Sequence, residues 1–229
     1  MGVHPSFDEV MRAAVRVQEL LPDAVLVRGS AAAHHAGHRI SLDDDHVLTD
    51  LRDRFNDVLE VLEHADGWVT SRVRRPVLIL GSLDGVETGI RQLIRRRPLE
   101  VEQVMVGDRE LTVPTLDEMV RIKAWLVLRR NATRDYLDVV ALANRLDGEA
   151  AARVILSLDD YYEDQLGPGG QRVATQLAKQ LADPAPYDLS AVDLAHYRQL
   201  EDRWRDWNNV VRACRGLAAG ILDLVADRS

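Results

Sequence analysis

Two aspartates separated by one residue, Asp43 and Asp45, are the side chains of this sequence best suited to chemistry. Side chains alternate along a β-strand, so two carboxylates at this spacing point to the same face of a sheet. Such a pair can hold Mg²⁺ or Mn²⁺, which bridges phosphate oxygens and neutralises developing charge in phosphoryl chemistry. Asp44 should face the other way. The Asp-x-Asp spacing alone is not specific, because ordinary solvated acidic residues show it too.

A turn upstream of this pair makes the signal more specific. The apolar run Ala24 to Val27 predicts a short buried strand, after which Gly29-Ser30 leads into a short helix over Ala31 to Ala36. Free backbone amides and the dipole at the start of such a helix favour phosphate binding. The segment that follows has the pattern Arg39-x-Ser41-x-Asp43-x-Asp45. The sequence therefore predicts a phosphate-binding turn one helix ahead of a metal-binding pair.

Four segments of the chain resemble the motifs of a known family. Val27-Arg28-Gly29-Ser30 and the segment from Gly37 to Asp45 are similar to the first two motifs of the AbiEii/AbiGii-type nucleotidyltransferases, which belong to the polymerase-β-like superfamily. Leu116 to Lys123 and Arg134-Asp135-Tyr136-Leu137-Asp138 resemble that family's later Lys and Arg-Asp-x-x-Asp segments. The resemblance covers about residues 20 to 145.

The resemblance implies transfer of a nucleoside monophosphate from an NTP to an acceptor hydroxyl, with Mg²⁺ or Mn²⁺ held by the two aspartates. It implies that Ser30 contacts the triphosphate and that Lys123 offsets phosphate charge, and it gives Asp135 a catalytic role. Gly29, Arg39 and Ser41 belong to the matched motifs and are further nucleotide-binding candidates. Arg28 stands where the family commonly has a glycine.

The family also indicates a biological setting. Its members are often toxins of toxin-antitoxin or phage-defence systems, and some modify tRNA. We therefore expect an RNA acceptor, such as the tRNA 3′ end, or a protein acceptor, together with a cognate antitoxin.

Several of these residues also have plainer interpretations. Lys123 has apolar neighbours and could extend from a buried helix face, while Asp138 and Arg134 are four residues apart and could form a helix ion pair. A third acidic ligand is usual in the superfamily, and Glu102 on a predicted strand is one candidate. Glu100 is the other candidate, and an exposed edge strand with two ordinary glutamates is the interpretation that we favour for that segment.

The composition limits the function classes. The net charge of −8 and the pI near 5.4 argue against a generally basic surface, and we predict no DNA binding. Local basic runs exist, for example Arg72, Arg74 and Arg75. The N-terminal segment lacks a secretory pattern and no stretch approaches 18 uncharged apolar residues. We expect a cytoplasmic protein with no membrane partner.

The elements that must position these residues follow from periodicity and capping signals. Ser6 to Glu9 is a capping box that opens a helix ending near Leu20. The predicted strands are Ala24 to Val27, Ser41 to Leu48, Trp68 to Val73, Val77 to Leu80 and Leu99 to Val106, and the predicted helix between the second and third covers Thr49 to Ala65. Val86 to Ile90 is either a short strand or the approach to a helix over Arg91 to Arg96.

From Pro114 onward the pattern is helical. Thr115 to Glu118 is a second capping box for a helix to about Arg130, and Thr133 is the predicted cap of the next helix, which should end at Asp147-Gly148. Two interruptions are expected later, at Gly167 to Gly170 and at Asp183 to Pro186. The predicted fold is α+β, with a polymerase-β-like mixed sheet and its flanking helices in residues 1–113 and an all-helical lobe in residues 114–229.

Two other functions fit the same residues. A small-molecule nucleotidyltransferase acting on an aminoglycoside-like polycation would suit the acidic charge. An inactive nucleotidyltransferase-like module that acts only by binding is the third hypothesis, although an intact Ser30, Asp43 and Asp45 weigh against it.

Overall fold

A computed structural model describes residues 5–166, 172–190 and 194–227 of the protein, and these residues form two compact units. The first unit extends to His34 and resumes from Ile40 to Thr115; the second contains His35–Arg39 and the chain from Leu116 onward. The N-terminal residues 1–4 and the interruption predicted at 167–170 lie outside the described residues.

A five-stranded mixed sheet organises the first unit. In space the strands follow the order β1-β2-β5-β4-β3, and the small antiparallel sheet β6-β7 is separate. Within the described sheet, β2 and β5 are parallel neighbours and the other neighbouring pairs are antiparallel. The strands are β1 (Val25–Val27), β2 (Asp44–Leu48), β3 (Trp68–Arg74), β4 (Leu78–Leu83), β5 (Val86–Gln92), β6 (Val101–Val106) and β7 (Arg109–Pro114).

Three helices accompany this sheet: α1 (Phe7–Leu20), α2 (Arg28–Ala36) and α3 (Phe55–Glu63). Helix α1 begins with the predicted capping box, in which the Ser6 hydroxyl accepts from the Glu9 amide. One buried cluster joins α1 and α3 to alternate residues of the strands, including Trp68, Ile79 and Ile90. These strand residues use one face of the sheet for the core, so their sequence neighbours are left for the opposite face.

Several predicted boundaries in this unit were wrong. The helix predicted from Thr49 begins only at Phe55, because the amides of Asp53 and Arg54 bond back to the Asp50 carbonyl in a turn. The predicted helix over Arg91 to Arg96 does not form; β5 continues to Gln92, as the alternative strand prediction allowed.

Strand β7 was missed altogether. Gly107 occupies the left-handed region with φ of 65°, so it permits the turn that returns the chain along β6. Leu111 and Val113 are buried on that strand while Arg109 and Glu110 are exposed. Half of the residues of β7 are polar, so the sequence does not show a clear alternation of apolar and polar residues there.

The second unit is helical, as predicted, and the α+β class is confirmed. Its helices are α4 (Leu116–Arg130), α5 (Thr133–Ala143), α6 (Gly148–Leu156), α7 (Leu158–Tyr161), α8 (Val173–Ala182), α9 (Asp202–Arg205) and α10 (Trp207–Ala226). Helix α10 packs against α5, α6 and α8 through buried residues such as Cys214, whose thiol has its pKa raised to about 12 by burial. The predicted interruption at Asp183 to Pro186 is confirmed.

Two capping predictions in this unit were wrong. Helix α5 has Ala132 at its N-cap, without a side-chain cap, and ends at Ala143. Asp147 instead opens α6, where its carboxylate accepts from the Ala150 amide at 2.6 Å. The described residues include no helix with the length and apolarity needed to cross a membrane.

The start of α5 is capped from a distant part of the chain. Both the amide and the hydroxyl of Thr133 donate to Oδ1 of Asp188 at 2.7 Å. We predict that Asp188→Ala lowers the free energy of unfolding by about 1 kcal/mol, the usual cost of losing an N-terminal cap. Urea denaturation measures this cost. The exposed neighbour Tyr187→Ala is the control, and an equal loss in both variants would refute the capping role.

Candidate active site

The acidic pair lies at one cavity of the first unit. Asp43 directly precedes β2, Asp45 lies within it, and both line a cavity of about 430 Å³. Asp44 is fully buried, with its Oδ1 3.1 Å from Nδ1 of His46. The carboxylates of Asp43 and Asp45 therefore lie on the same side of the sheet, and the carboxylate of Asp44 lies in the protein interior, as strand alternation predicts.

The parallel neighbour of β2 supplies more of the cavity wall. Asp45 lies opposite Gly89 of β5, and alternation places Glu87 and Arg91 on the same face as Gly89. All three of these β5 residues line the cavity. Glu87 is thus the third acidic side chain beside Asp43 and Asp45.

Glu102 is not placed where the sequence interpretation expected it. It is exposed on β6, which among the described strands pairs with β7 and not with β2, and it does not line this cavity. The prediction assumed that the next strand with suitable acids would neighbour β2. In the structure, β5 holds that position.

Two arginines hold the Asp45 carboxylate. Nη1 of Arg28 lies 2.8 Å from Oδ2, and Nε of Arg91 lies 2.9 Å from Oδ1. The Asp45 side chain is 6% exposed, and those of Arg28 and Arg91 are 25% and 28% exposed. Arg28 has φ of 66°, a left-handed conformation that is uncommon for residues other than glycine. Arg28 therefore puts a cation beside Asp45, at a position where the family that the sequence resembles commonly has a glycine.

The Gly29-Ser30 turn has a structural role at the start of β2. Ser30 is fully buried, and its hydroxyl donates to the backbone carbonyl of Asp43 at 2.5 Å. The hydroxyl therefore fixes the chain just before β2, and it does not line the cavity. Gly29 lies in the first turn of α2, and Ser41 is 8% exposed. Phosphate contacts by these residues stay a prediction.

The remaining predicted residues form a second cluster inside the helical unit. Asp138 is fully buried and contacts three side chains: Nε2 of His38 and Nζ of Lys123 each lie 2.7 Å from a carboxylate oxygen, and Nε of Arg39 lies 2.8 Å away. Burial by itself would raise the pKa of Asp138, but Arg39 and Lys123 hold it well below its usual value. Asp138 thereby joins the His38-Arg39 segment to α4 and α5.

Lys123 and Asp135 occupy the same buried surroundings. Burial lowers the pKa of Lys123, and the attraction of Asp138 only partly offsets this effect. Asp135 is also fully buried, and neither of its carboxylate oxygens accepts a hydrogen bond within the part of the chain that the structure describes. Arg130 comes only to 4.0 Å. Burial consequently raises the pKa of Asp135, because the charged carboxylate is less favourable in the interior than in water. A buried carboxylate of this kind does not stabilise the fold, which makes Asp135 a candidate functional residue.

Sequence reasoning thus found members of two clusters but missed some of their partners. Asp43 and Asp45 belong to the cavity of the first unit, whereas Arg39, Lys123 and Asp135 belong to the buried cluster of the second. Glu87, Gly89 and Arg91 were missed, although an alternation count over Val86 to Gln92 would have put them on one face.

The two aspartates suit a divalent cation that completes its coordination with substrate. The described residues contain no group of three or more His, Cys, Asp or Glu side chains arranged to hold a metal ion. Mg²⁺ is often bound by only one or two carboxylates together with water and phosphate oxygens. Asp43 and Asp45 therefore fit a cation carried by a nucleotide better than a resident structural metal.

Solved structures share the fold of this chain. A candidate nucleotidyltransferase from H. pylori aligns with a TM-score of 0.57 at 13% identity, over 97% of this chain and 96% of that one. JHP933 from Helicobacter pylori gives 0.55 at 14% identity, over 97% and 93%. The antibiotic-resistance factor ANT(2'')-Ia gives 0.52 at 8% identity, over 69% and 94%. The protein thus shares the fold of these nucleotidyltransferase structures.

Sequence comparison gives a separate result. No family model matches the chain. Heme uptake protein MmpL11 of Mycobacterium tuberculosis is 38% identical over 131 residues, and the mycolic acid-containing lipids exporter MmpL11 of Mycolicibacterium smegmatis is 37% identical over the same length. The match covers 56% of this chain, but it spans only 13% of the length of these relatives.

The close approach of Gly89 to Asp45 makes a stability prediction. A Cβ at Gly89 would collide with Oδ1 of Asp45, whereas a Cβ at Gly216 in α10 would meet nothing. We expect Gly89→Ala to lower the free energy of unfolding by about 1 to 3 kcal/mol through overpacking, and Gly216→Ala to raise it by up to about 1 kcal/mol. Chemical denaturation of both variants checks this. Equal effects would show that Gly89 is not needed for close packing.

The two aspartates of the buried cluster should behave oppositely. Asp138→Asn should lower the free energy of unfolding by about 3 to 5 kcal/mol at neutral pH, because it leaves buried cations without their carboxylate. Asp135→Asn should not lower it, since its buried charge lacks compensating hydrogen bonds. Urea unfolding at pH 7 compares the two.

The Asp138 effect should also depend on pH. Because folding depresses the pKa of Asp138, its stabilisation is fully present above the unfolded value near 3.9 and is lost as the pH falls through the folded value. The difference between wild type and Asp138→Asn should therefore shrink below about pH 4. A difference that stays constant from pH 7 to pH 3 would contradict the ion-pair origin.

Proposed function

We propose that this protein transfers a nucleoside monophosphate from an NTP to an acceptor hydroxyl. The observation that carries the proposal is the convergence of Asp43, Asp45 and Glu87 with Arg28 and Arg91 on one cavity. Carboxylates and guanidiniums in one cavity suit a cation-bound polyphosphate, since the first bind the cation and the second bind phosphate oxygens. The nucleotidyltransferase fold supports the same activity.

The chemistry divides among these residues. Asp43 and Asp45 would hold Mg²⁺ or Mn²⁺, which when bound neutralises charge on the phosphates. Arg28 and Arg91 orient the triphosphate, and Glu87 is the remaining carboxylate able to take the proton of the acceptor hydroxyl. The hydroxyl oxygen forms a bond to the α-phosphorus, the bond to the bridging oxygen breaks, and pyrophosphate leaves. Val69 and Leu80 give the same cavity an apolar wall suited to a nucleoside.

The helical unit contributes candidates through the family resemblance. Lys123 is proposed to carry positive charge for the nucleotide, with Asp138 as the residue that positions it at 2.7 Å. Asp135 is proposed as a catalytic acid or base because it is a buried carboxylate with a raised pKa. Arg39 shares Asp138 with Lys123 and is proposed as a nucleotide-binding residue. If Asp135 has this role, Asp135→Asn will lose activity without losing stability.

An RNA acceptor is favoured by the charge on one face of the sheet. Arg72 lies opposite Leu80 in the β3–β4 ladder, and directly opposed residues share a face. Since Leu80 lines the cavity, Arg72 lies on the cavity face, and Arg74 follows it two residues later. Both are exposed, as phosphate contacts require. We accordingly propose RNA, with the tRNA 3′ end as first candidate, ahead of a protein acceptor.

A small-molecule acceptor is the second candidate. The acidic residues of the cavity and the net charge of −8 suit a polycation such as an aminoglycoside, and ANT(2'')-Ia is described as an antibiotic-resistance factor. Unchanged inhibitory concentrations across aminoglycosides in a producing host would exclude this acceptor.

Labelled NTPs incubated with purified protein, Mg²⁺ and total tRNA test the main proposal. Asp45→Asn and Asp43→Asn should lower label transfer by at least about a hundredfold, because each removes a charged group that the transition state needs. Glu87→Gln should lower transfer too, whereas the exposed Glu102→Gln is a matched control and should not. Equal transfer by wild type and Asp45→Asn would refute the assignment.

A separate pair of substitutions tests whether the acceptor is RNA. Changing Arg72 and Arg74 together to glutamine should weaken RNA labelling and reduce its dependence on salt. If wild type binds no NTP in calorimetry with Mg²⁺ present, the alternative of an inactive binding module is favoured instead.

A toxin of a toxin-antitoxin or phage-defence system, acting in the cytoplasm on RNA, is the setting we propose. Induced expression of wild type should arrest growth and Asp45→Asn should not. Co-expression of the adjacent reading frame tests for a cognate antitoxin. Growth arrest by both proteins would show that arrest does not come from transfer at this site.

A further inference from the structure

Both carboxylate oxygens of Asp45 are bound by guanidinium groups in this structure. Arg28 holds Oδ2 at 2.8 Å and Arg91 holds Oδ1 at 2.9 Å. Gly89 lies against the same carboxylate so closely that a Cβ there would collide with Oδ1. The carboxylate that the proposed function assigns to a divalent cation is therefore fixed between two positive charges, while Asp43 remains exposed.

These charges oppose the approach of a metal ion. A divalent cation at Asp45 would lie within a few ångströms of both guanidiniums, and repulsion between like charges is strong in a partly buried site. Within the described ranges, no group of three or more His, Cys, Asp or Glu side chains could hold a metal ion. The attraction of further protein ligands therefore does not offset the repulsion from the two arginines. The protein by itself is consequently a poor divalent-cation site.

A polyphosphate reverses this balance. Its oxygens accept paired hydrogen bonds from guanidinium groups, and they also supply ligands to the cation. Arg28 and Arg91 line the same cavity as Asp43 and Asp45, and about a quarter of each arginine side chain is exposed. Their guanidinium groups can therefore turn from Asp45 to a bound phosphate within this cavity.

The backbone at Arg28 points to a specific use of this side chain. Its φ of 66° is a conformation in which glycine is unstrained and a larger residue is disfavoured. An arginine at this position is less favourable for the backbone than glycine, but it places a guanidinium group against the Asp45 carboxylate.

We infer that Arg28 and Arg91 form a lock that closes Asp45 to divalent cations until a polyphosphate enters, and that both guanidiniums then shift to the phosphates. The metal site is thus completed by the nucleotide and is weak in the free protein. The identity of the polyphosphate as an NTP rests on the proposed function, whereas the lock concerns only residues of this cavity.

Two binding measurements without turnover test the lock. In the first, Mn²⁺ alone is titrated and its free-ion electron paramagnetic resonance signal is followed. The double variant Arg28→Gly with Arg91→Gln should bind Mn²⁺ at least about tenfold more tightly than wild type, as expected for removal of cations paired with a carboxylate. Adding Asp45→Asn should abolish this gain. Glycine is chosen at position 28 because it suits the observed φ.

In the second measurement, inorganic tripolyphosphate is titrated by calorimetry in EDTA. The same double variant should bind it at least about tenfold more weakly than wild type, because two phosphate-binding groups are gone. Arg52→Gln, at an exposed arginine that does not line this cavity, should change neither affinity. Thermal unfolding confirms that each variant is folded, and the single Arg91→Gln variant replaces the double variant if that one is not.

Equal Mn²⁺ affinity in wild type and the unlocked variant would overturn the lock. Unchanged tripolyphosphate affinity would overturn the shift of the arginines to phosphate. Both readouts remain valid if no NTP transfer occurs, so failure of the proposed activity and failure of the lock are distinguishable.

Discussion

The parallel pairing of β2 with β5 is the constraint on which the cavity of the first unit depends. This pairing places Gly89 opposite Asp45 and leaves Glu87 and Arg91 on either side of it along β5. Strand alternation then separates two functions on the same strands. Asp45 faces the cavity, while Leu48 of β2 and Ile90 of β5 belong to the core that α1 and α3 cover. A shift of one residue in this register would exchange the two sets of side chains and bury the acids of the cavity.

The buried carboxylates of Asp45 and Asp138 have different surroundings. In the first unit, Asp45 shares two arginines that retain partial exposure, so its environment can be rearranged by a ligand. In the second unit, Asp138 is fully buried in contact with His38, Arg39 and Lys123, and removing Asp138 would leave Arg39 and Lys123 as buried cations without their carboxylate. The first arrangement suits exchange during binding, and the second suits fixed positioning.

Local signals in the sequence predicted local structure well. The capping box at Ser6 and the change to helices after Pro114 each depend on residues a few positions apart, and each was confirmed in the structure. Asp43 and Asp45 line one cavity, and their metal-binding role stays a prediction. The partner of β2 could not be predicted in this way, because strand pairing is set by contacts between distant residues. Glu102 on β6 was therefore named as a candidate, while Glu87 on the neighbour of β2 was missed. Asp188 caps α5 from 55 residues away, which local pattern reading cannot detect.

A crystal structure of the protein with a non-hydrolysable NTP and Mn²⁺ measures the central claim most directly. The expected result is anomalous density for Mn²⁺ in contact with Asp43 and Asp45, with phosphate oxygens at Arg28 and Arg91 and both arginines released from Asp45. A nucleotide bound away from this cavity, or Mn²⁺ bound at Asp45 while both arginine pairs persist, would contradict it.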